Sequence, residues 1–159
     1  MRRRQLLQLV AVSLAPTSRP HVTTTKQITL TLNPAPNISA IVQQARQAWL
    51  DGNSRAFVQL FADDGVLIVP GARWQGHRAI AMAFEEYAAE HRVTAITIRN
   101  LVVQPPAAEE AIGHAVVEWV WEDINTVTQL TSRADDAIAI DVCGGQVLRW
   151  REYIDNQPL

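Results

Sequence analysis

The stretch Val147-Leu148-Arg149-Trp150-Arg151-Glu152-Tyr153-Ile154-Asp155, close to the end of the chain, decides how the rest is read. As a β-strand it sorts into two faces, because successive side chains point to opposite sides. Leu148, Trp150, Glu152 and Ile154 share one face; Val147, Arg149, Arg151, Tyr153 and Asp155 share the other. The first face is the apolar one and is expected to look inward. That leaves Glu152 as a lone carboxylate on a greasy surface. An unpartnered ionised carboxylate is costly to bury, so this one is paired, protonated or beside a wet cavity.

The strand before it carries a second such acid. With Cys143-Gly144-Gly145 as a three-residue loop, Val142 pairs with Gln146, Ile140 faces Leu148, Ile138 faces Trp150 and Asp136 faces Glu152. Asp136 then lies on the apolar face of its own strand, with Leu130, Ala134, Ile138 and Ile140. A loop of two or four residues would set the two acids on opposite faces, since a one-residue slip inverts every side chain. The hydrophobic pattern favours three.

Upstream, the periodicity is helical. Ile38, Ile41, Val42, Ala45, Ala48 and Trp49 repeat at helix spacing, with Asn37 or Ser39 as cap and Gly52 as stop. A short helix is expected over Ser54–Ala62, then a turn at Asp63-Asp64-Gly65 and a strand over Val66–Val69 closed by Pro70-Gly71. A third helix runs from His77 to His91 on a stripe of Ile80, Phe84, Tyr87, Ala88 and His91. The period then switches to two, with strands expected at Val93–Val103, Ala111–Asp123, Thr128–Asp141 and Val147–Asp155. Helices first and antiparallel strands after make an α+β pattern.

Composition sets the outer limits. At 159 residues, with 48% hydrophobic and 19% charged, the chain suits one globular core and not a disordered segment. Residues 1–50 hold no acid and six bases, while the remainder holds all 16 acids. So acidic a body is a poor match for phosphate backbones, and nucleic acid is excluded as a partner. Residues 1–36 are read as a flexible leader ahead of a domain at 37–159, with a weak strand at Gln27–Leu32. Its start, Met1-Arg2-Arg3-Arg4 followed by Leu6 to Ala15, has the form of a signal peptide, and Arg3-Arg4-Gln5-Leu6-Leu7-Gln8 resembles a twin-arginine motif. Pro16 after Ser13-Leu14-Ala15 speaks against cleavage there, so export and a cytoplasmic location both stand. The apolar run is too short to span a bilayer, which takes about 20 residues. Cys143 is the single cysteine, and it is read as an inert residue of the hairpin tip.

Five stretches in order resemble the nuclear transport factor 2-like superfamily, SnoaL-like branch. They are Trp49-Leu50-Asp51-Gly52-Asn53, Phe61-Ala62-Asp63-Asp64-Gly65-Val66, Trp74-Gln75-Gly76-His77-Arg78-Ala79-Ile80, Asp136 ahead of Gly144-Gly145, and the terminal strand itself. The resemblance implies a cone-shaped, curved antiparallel sheet wrapped around three N-terminal helices, enclosing a pocket. It implies homodimerisation through the outer sheet face as well. In members resembling limonene-epoxide hydrolase, the terminal motif supplies a pocket carboxylate where Glu152 stands. Their Arg-x-Asp would fall on Trp119 and Trp121, so that triad is broken. In ketosteroid-isomerase-like members the base position matches Val69, whereas the acid position matches Asp136, which a SnoaL-like cyclase would use as acid/base. The fold hosts unrelated chemistries, so it does not by itself select one.

These readings converge on Asp136 and Glu152 as candidate catalytic acids, since opposed carboxyls cannot both ionise easily. Trp49, Phe84, Tyr87, Trp119, Trp121 and Trp150 are the expected ligand-binding residues, suited to a small apolar molecule. The bland alternative pairs the acids with Arg73 or Arg133, in a non-catalytic ligand-binding or dimerisation module. A cavity below about 100 Å³ would favour that alternative. His114, Glu118 and Glu122 fall on the other face of their strand, with His114 and Glu118 roughly 13 Å apart, too far for an acid/base pair. Arg73 and Trp74 are read as structural cover. His21, His77, His91 and His114 lack metal-ligand spacing, so neither metal nor cofactor is expected.

Overall fold

A computed structural model describes residues 37–108 and 110–155. The leader, its weak strand and its export signal lie outside the described residues. Asn37 caps helix α1 (Ile38–Leu50), its side chain accepting from the Ser39 amide at 3.0 Å. Ile38, Ile41, Val42, Ala45 and Ala48 form the buried stripe that the spacing predicts. Gly52 ends the turn after it with φ +62°.

Helix α2 (Ser54–Val58) is shorter than expected. Strand β1 (Phe61–Val69) begins where the helix was expected to continue. A long-range ladder wins over local propensity there. The Val147 amide donates to the Leu60 carbonyl at 2.8 Å, and Phe61 pairs with Val147. The expected turn Asp63-Asp64-Gly65 is instead a bulge inside β1, between the pairs Phe61–Val147 and Val66–Arg149. After Pro70-Gly71, a short strand unexpected from sequence, β2 (Ala72–Gln75), folds back on β1 and pairs Leu67 with Trp74. Helix α3 (His77–Glu90) then buries Ile80 and Phe84.

Four long strands follow: β3 (His91–Gln104), β4 (Gly113–Asn125), β5 (Thr131–Cys143) and β6 (Gln146–Asp155). The sheet order is β2-β1-β6-β5-β4-β3. The expectation of a wholly antiparallel sheet is corrected at one place, because β1 pairs with β6 in parallel. The other neighbours are antiparallel. Two register shifts, between Val93 and Ala95 and between Ile98 and Asn100, bend β3. The sheet thus curves, with α1 against β3 and β4 and α3 against β1 and β2. This is the α+β cone.

Trp119, Trp150, Phe57, Phe61, Phe84, Ile138 and Ile140 fill the core between sheet and helices. Leu130, read as part of an inward face, precedes β5 and is 70% exposed. Among the described residues no helix is long and apolar enough to cross a membrane.

Gly65 sits where β1 bulges past β6. A Cβ there would lie 2.8 Å from the Val147 carbonyl oxygen and 3.0 Å from that of Ala62, both backbone atoms. Gly65→Ala should therefore destabilise the fold by about 1–3 kcal/mol, as overpacking does. Urea unfolding measures it; a loss below about 0.5 kcal/mol would contradict the close approach.

Candidate functional site

The β5–β6 hairpin fixes which side chains meet. Gly144 and Gly145 take φ +56° and +78° in a two-residue turn, and Cys143 pairs with Gln146. The three-residue loop is therefore corrected: Cys143 closes β5 instead of sitting in the loop. One residue later the register shifts, so that Asp141 pairs with Arg149, Ile140 with Trp150, Ile138 with Glu152 and Asp136 with Ile154. The shorter turn and the bulge cancel in parity. Asp136 and Glu152 keep a common face but stand diagonally, on the order of 7–8 Å apart along the backbone, and not directly opposed. The bulge also explains why Val147, expected on the outer face, is completely buried.

That face opens on a cavity of about 360 Å³. Asp136, Glu152, Trp49, Phe84, Tyr87 and Trp121 all line it. Trp119 and Trp150 do not; both are buried beneath it and hold the acids from behind. The Trp119 indole donates to Asp136 Oδ2 at 3.0 Å, and the Trp150 indole donates to Glu152 Oε1 at 2.7 Å. Neither arginine considered as a partner reaches the acids. Arg73 bonds Gln75, and Arg133 lies 3.9 Å from Glu122. Among the described residues Asp136 Oδ1 is buried without a partner, as is Trp49 Nε1.

Burial pushes both acids up. Asp136 reaches about 6, the Trp119 hydrogen bond lowering it and the nearby Asp135 charge raising it. Glu152 reaches about 7, also by burial, against the Trp150 hydrogen bond and with help from the Asp136 charge.

A third acid, Asp123, lines the cavity and was missed from sequence. Burial would raise it too, but hydrogen bonds outweigh that and hold it below the usual carboxylate range. Ser132 Oγ donates at 2.6 Å, Trp121 Nε1 at 3.0 Å, and the Tyr87 hydroxyl also donates. A positive charge on His91 would act in the same direction. Tyr87 is pushed upward by burial and by its place beside Asp123. Asp123 was legible, being the next inward position after Trp119 and Trp121 on β4. Its partner Ser132 follows only from the β4–β5 register.

Trp74, expected as cover, also lines the cavity, together with Val69 and His91. On the opposite sheet face His114 pairs with Asp141 at 2.8 Å, while Glu118 is exposed. Among the described residues no group of three His, Cys, Asp or Glu side chains gathers to hold a metal.

A family model described as a SnoaL-like domain matches residues 42–150. The chain belongs to this family. No curated protein matches its sequence. Among solved structures, the SnoaL-like chain is similar to a hypothetical protein with a ketosteroid isomerase-like fold from Catenulispora acidiphila, in complex with trimethylamine. The two share 22% identity at a TM-score of 0.60, over 71% of this chain and 83% of that one. A proposed polyketide cyclase from Xanthomonas campestris shares 21% at 0.60, over 74% and 89%. An LEH-like epoxide hydrolase from M. tuberculosis shares 18% at 0.58, over 72% and 80%. At these identities the likeness is one of fold, that of the nuclear transport factor 2-like superfamily.

The raised acids make stability depend on pH. A group raised on folding contributes stability below its unfolded value and loses it as pH rises through the folded one. For Asp136 and Glu152 that loss runs from about pH 4 to about pH 7. Asp123 acts the other way, its contribution fading as pH falls below the usual carboxylate range. Between pH 5 and pH 8 the protein should lose on the order of 1–2 kcal/mol more stability than Glu152→Gln, measured by urea unfolding. Parallel profiles for the two would contradict the shift.

Proposed function

We propose that this SnoaL-like domain takes a small, largely apolar molecule into the cavity and performs acid/base chemistry on it without a cofactor. Asp136 and Glu152 carry the proton transfers. The observation behind this reading is that two carboxyl groups, raised to about 6 and about 7, share one aromatic-lined cavity. General acids and bases work best when poised near the operating pH. Asp136 gives up its proton first and acts as the base, with Oδ2 held by Trp119. Glu152, held at Oε1 by Trp150, presents Oε2 as the acid. A ligand between them loses a proton to one and gains it from the other, as an isomerisation or ring closure requires.

A volume of about 360 Å³ supports a filled site over a vestigial one, since ligand pockets usually start near 300 Å³. A non-catalytic binder remains the second reading, favoured by one observation. Val69 and Trp121 stand at positions where the resemblance implies a base and an acid, and both line the cavity. The proposal extends to homodimerisation through the outer sheet face. It is supported there by the cross-strand pair Val102 and Val116, 60% and 49% exposed.

The test uses a panel of small cyclic ketones in D₂O, followed by NMR for deuterium uptake beside the carbonyl. The unaltered protein should accelerate uptake for at least one. Glu152→Gln and Asp136→Asn should each slow it by about 10²–10⁴-fold, while Asp63→Asn, on the exposed bulge, leaves it intact. Equal rates in all three variants would remove the acids from the chemistry. Binding without turnover would favour the second reading.

A further inference from the structure

Asp123, Asp136 and Glu152 all present carboxyl groups to one cavity, and among the described residues no lysine or arginine lines it. The basic side chain on the lining is His91, stacked on Tyr87 with ring centroids 4.7 Å apart. Its Nε2 lies 3.3 Å from Asn125 Nδ2. Asp123 is 5% exposed, held by three neutral donors, and joins no ion pair among the described residues. Among the lining residues only His91 can set a positive charge beside Asp123, so a cation entering the cavity meets three carboxyl groups against a single imidazole. Asp136, 6% exposed, lines the same cavity.

The walls suit the same occupant. Trp49, Tyr87 and Trp121 line the cavity and pack edge to face on one another, with ring centroids 5.1 to 5.8 Å apart, so they form one continuous aromatic wall. Aromatic faces carry negative charge density and attract ammonium groups, more strongly once water is excluded.

We propose that the ligand carries a cationic nitrogen, a protonated or quaternary amine on a compact apolar frame, seated in the cavity against this aromatic wall and beside the carboxyl groups. This rests on reading the cavity as a ligand site, and it narrows the class of ligand. Neutral apolar molecules fill the volume but gain nothing from the three carboxyl groups.

The proposal fixes the sign of a pH dependence. A cation favours ionised carboxyls, so its binding expels protons from Asp136 and Glu152, which stand at about 6 and about 7 in the free protein. Affinity then rises from about pH 5 to about pH 8 and levels off above. A neutral ligand that accepts hydrogen bonds from the protonated acids behaves oppositely. The other charged or titratable groups facing this pair are Asp123 from β4, Tyr87 from α3, His91 at the start of β3, and Asp135 across β5. Asp135 is itself paired with Arg99 at 3.4 Å.

The experiment titrates the full chain with benzyltrimethylammonium and with neopentylbenzene, its neutral carbon isostere, following tryptophan fluorescence at pH 5 and pH 8. At pH 8 the cation should bind about tenfold more tightly than the isostere, and its affinity should fall about tenfold at pH 5. Asp123→Asn should narrow the preference at pH 8. Should that variant not fold, the comparison on the unaltered chain decides alone. Equal or tighter binding of neopentylbenzene at pH 8, or a cation affinity that does not rise with pH, overturns the inference and leaves the cavity a ligand site. Failure of both compounds to bind overturns it together with the reading on which it rests.

Discussion

Everything at the site depends on the parity of one hairpin. Side chains alternate across a strand, so a change of one residue between Asp136 and Glu152 would turn one acid out to solvent. The Gly144-Gly145 turn and the bulge between Val147 and Arg149 each contribute an odd step, and together they restore the common face. The same bulge turns Val147 inward as well as Trp150, which gives β1 its buried neighbour at Phe61. The parallel insertion of β1 against β6 brings Leu67, Val69 and Trp74 to the cavity from the other side. The cavity is thus a product of register more than of any single residue.

Three carboxyls share that cavity and divide into two kinds. Burial opposes ionisation of all three, and the number of donors decides the outcome. Asp123 accepts from Ser132, Trp121 and Tyr87, and the hydrogen bonds win. Asp136 and Glu152 each accept one indole N–H, and burial wins. A buried carboxylate with several donors is held charged, and one with a single donor is pushed upward. The buried tryptophans are therefore positioning residues that leave one oxygen of each acid free.

Much of this was legible in the chain. Asn37 and the apolar spacing after it located α1, and period-two runs located the four long strands to within a few residues. Glu152 and Asp136 were visible as acids on apolar faces. What escaped was non-local. The end of α2 at Val58 is set by pairing of Phe61 with a strand some eighty residues later, which no local propensity reports. The bulge at Asp63-Asp64-Gly65 has the composition of a turn, and only β6 keeps it in a strand. The hairpin gave the right face by the wrong route, because a three-residue loop and a two-residue turn with a bulge share parity. Asp123 was missed although alternation from Trp119 and Trp121 pointed to it, since its donors come from three other places in the sequence.

Burial thus sets two of the inward acids apart from the third in one cavity. Carbon-detected NMR of the side-chain carboxyls, titrated from pH 3 to pH 9, tests it most directly. Midpoints of about 7 for Glu152 and about 6 for Asp136 are expected, with Asp123 below the usual carboxylate range. Midpoints for Asp136 and Glu152 near the ordinary value of about 4 would contradict it.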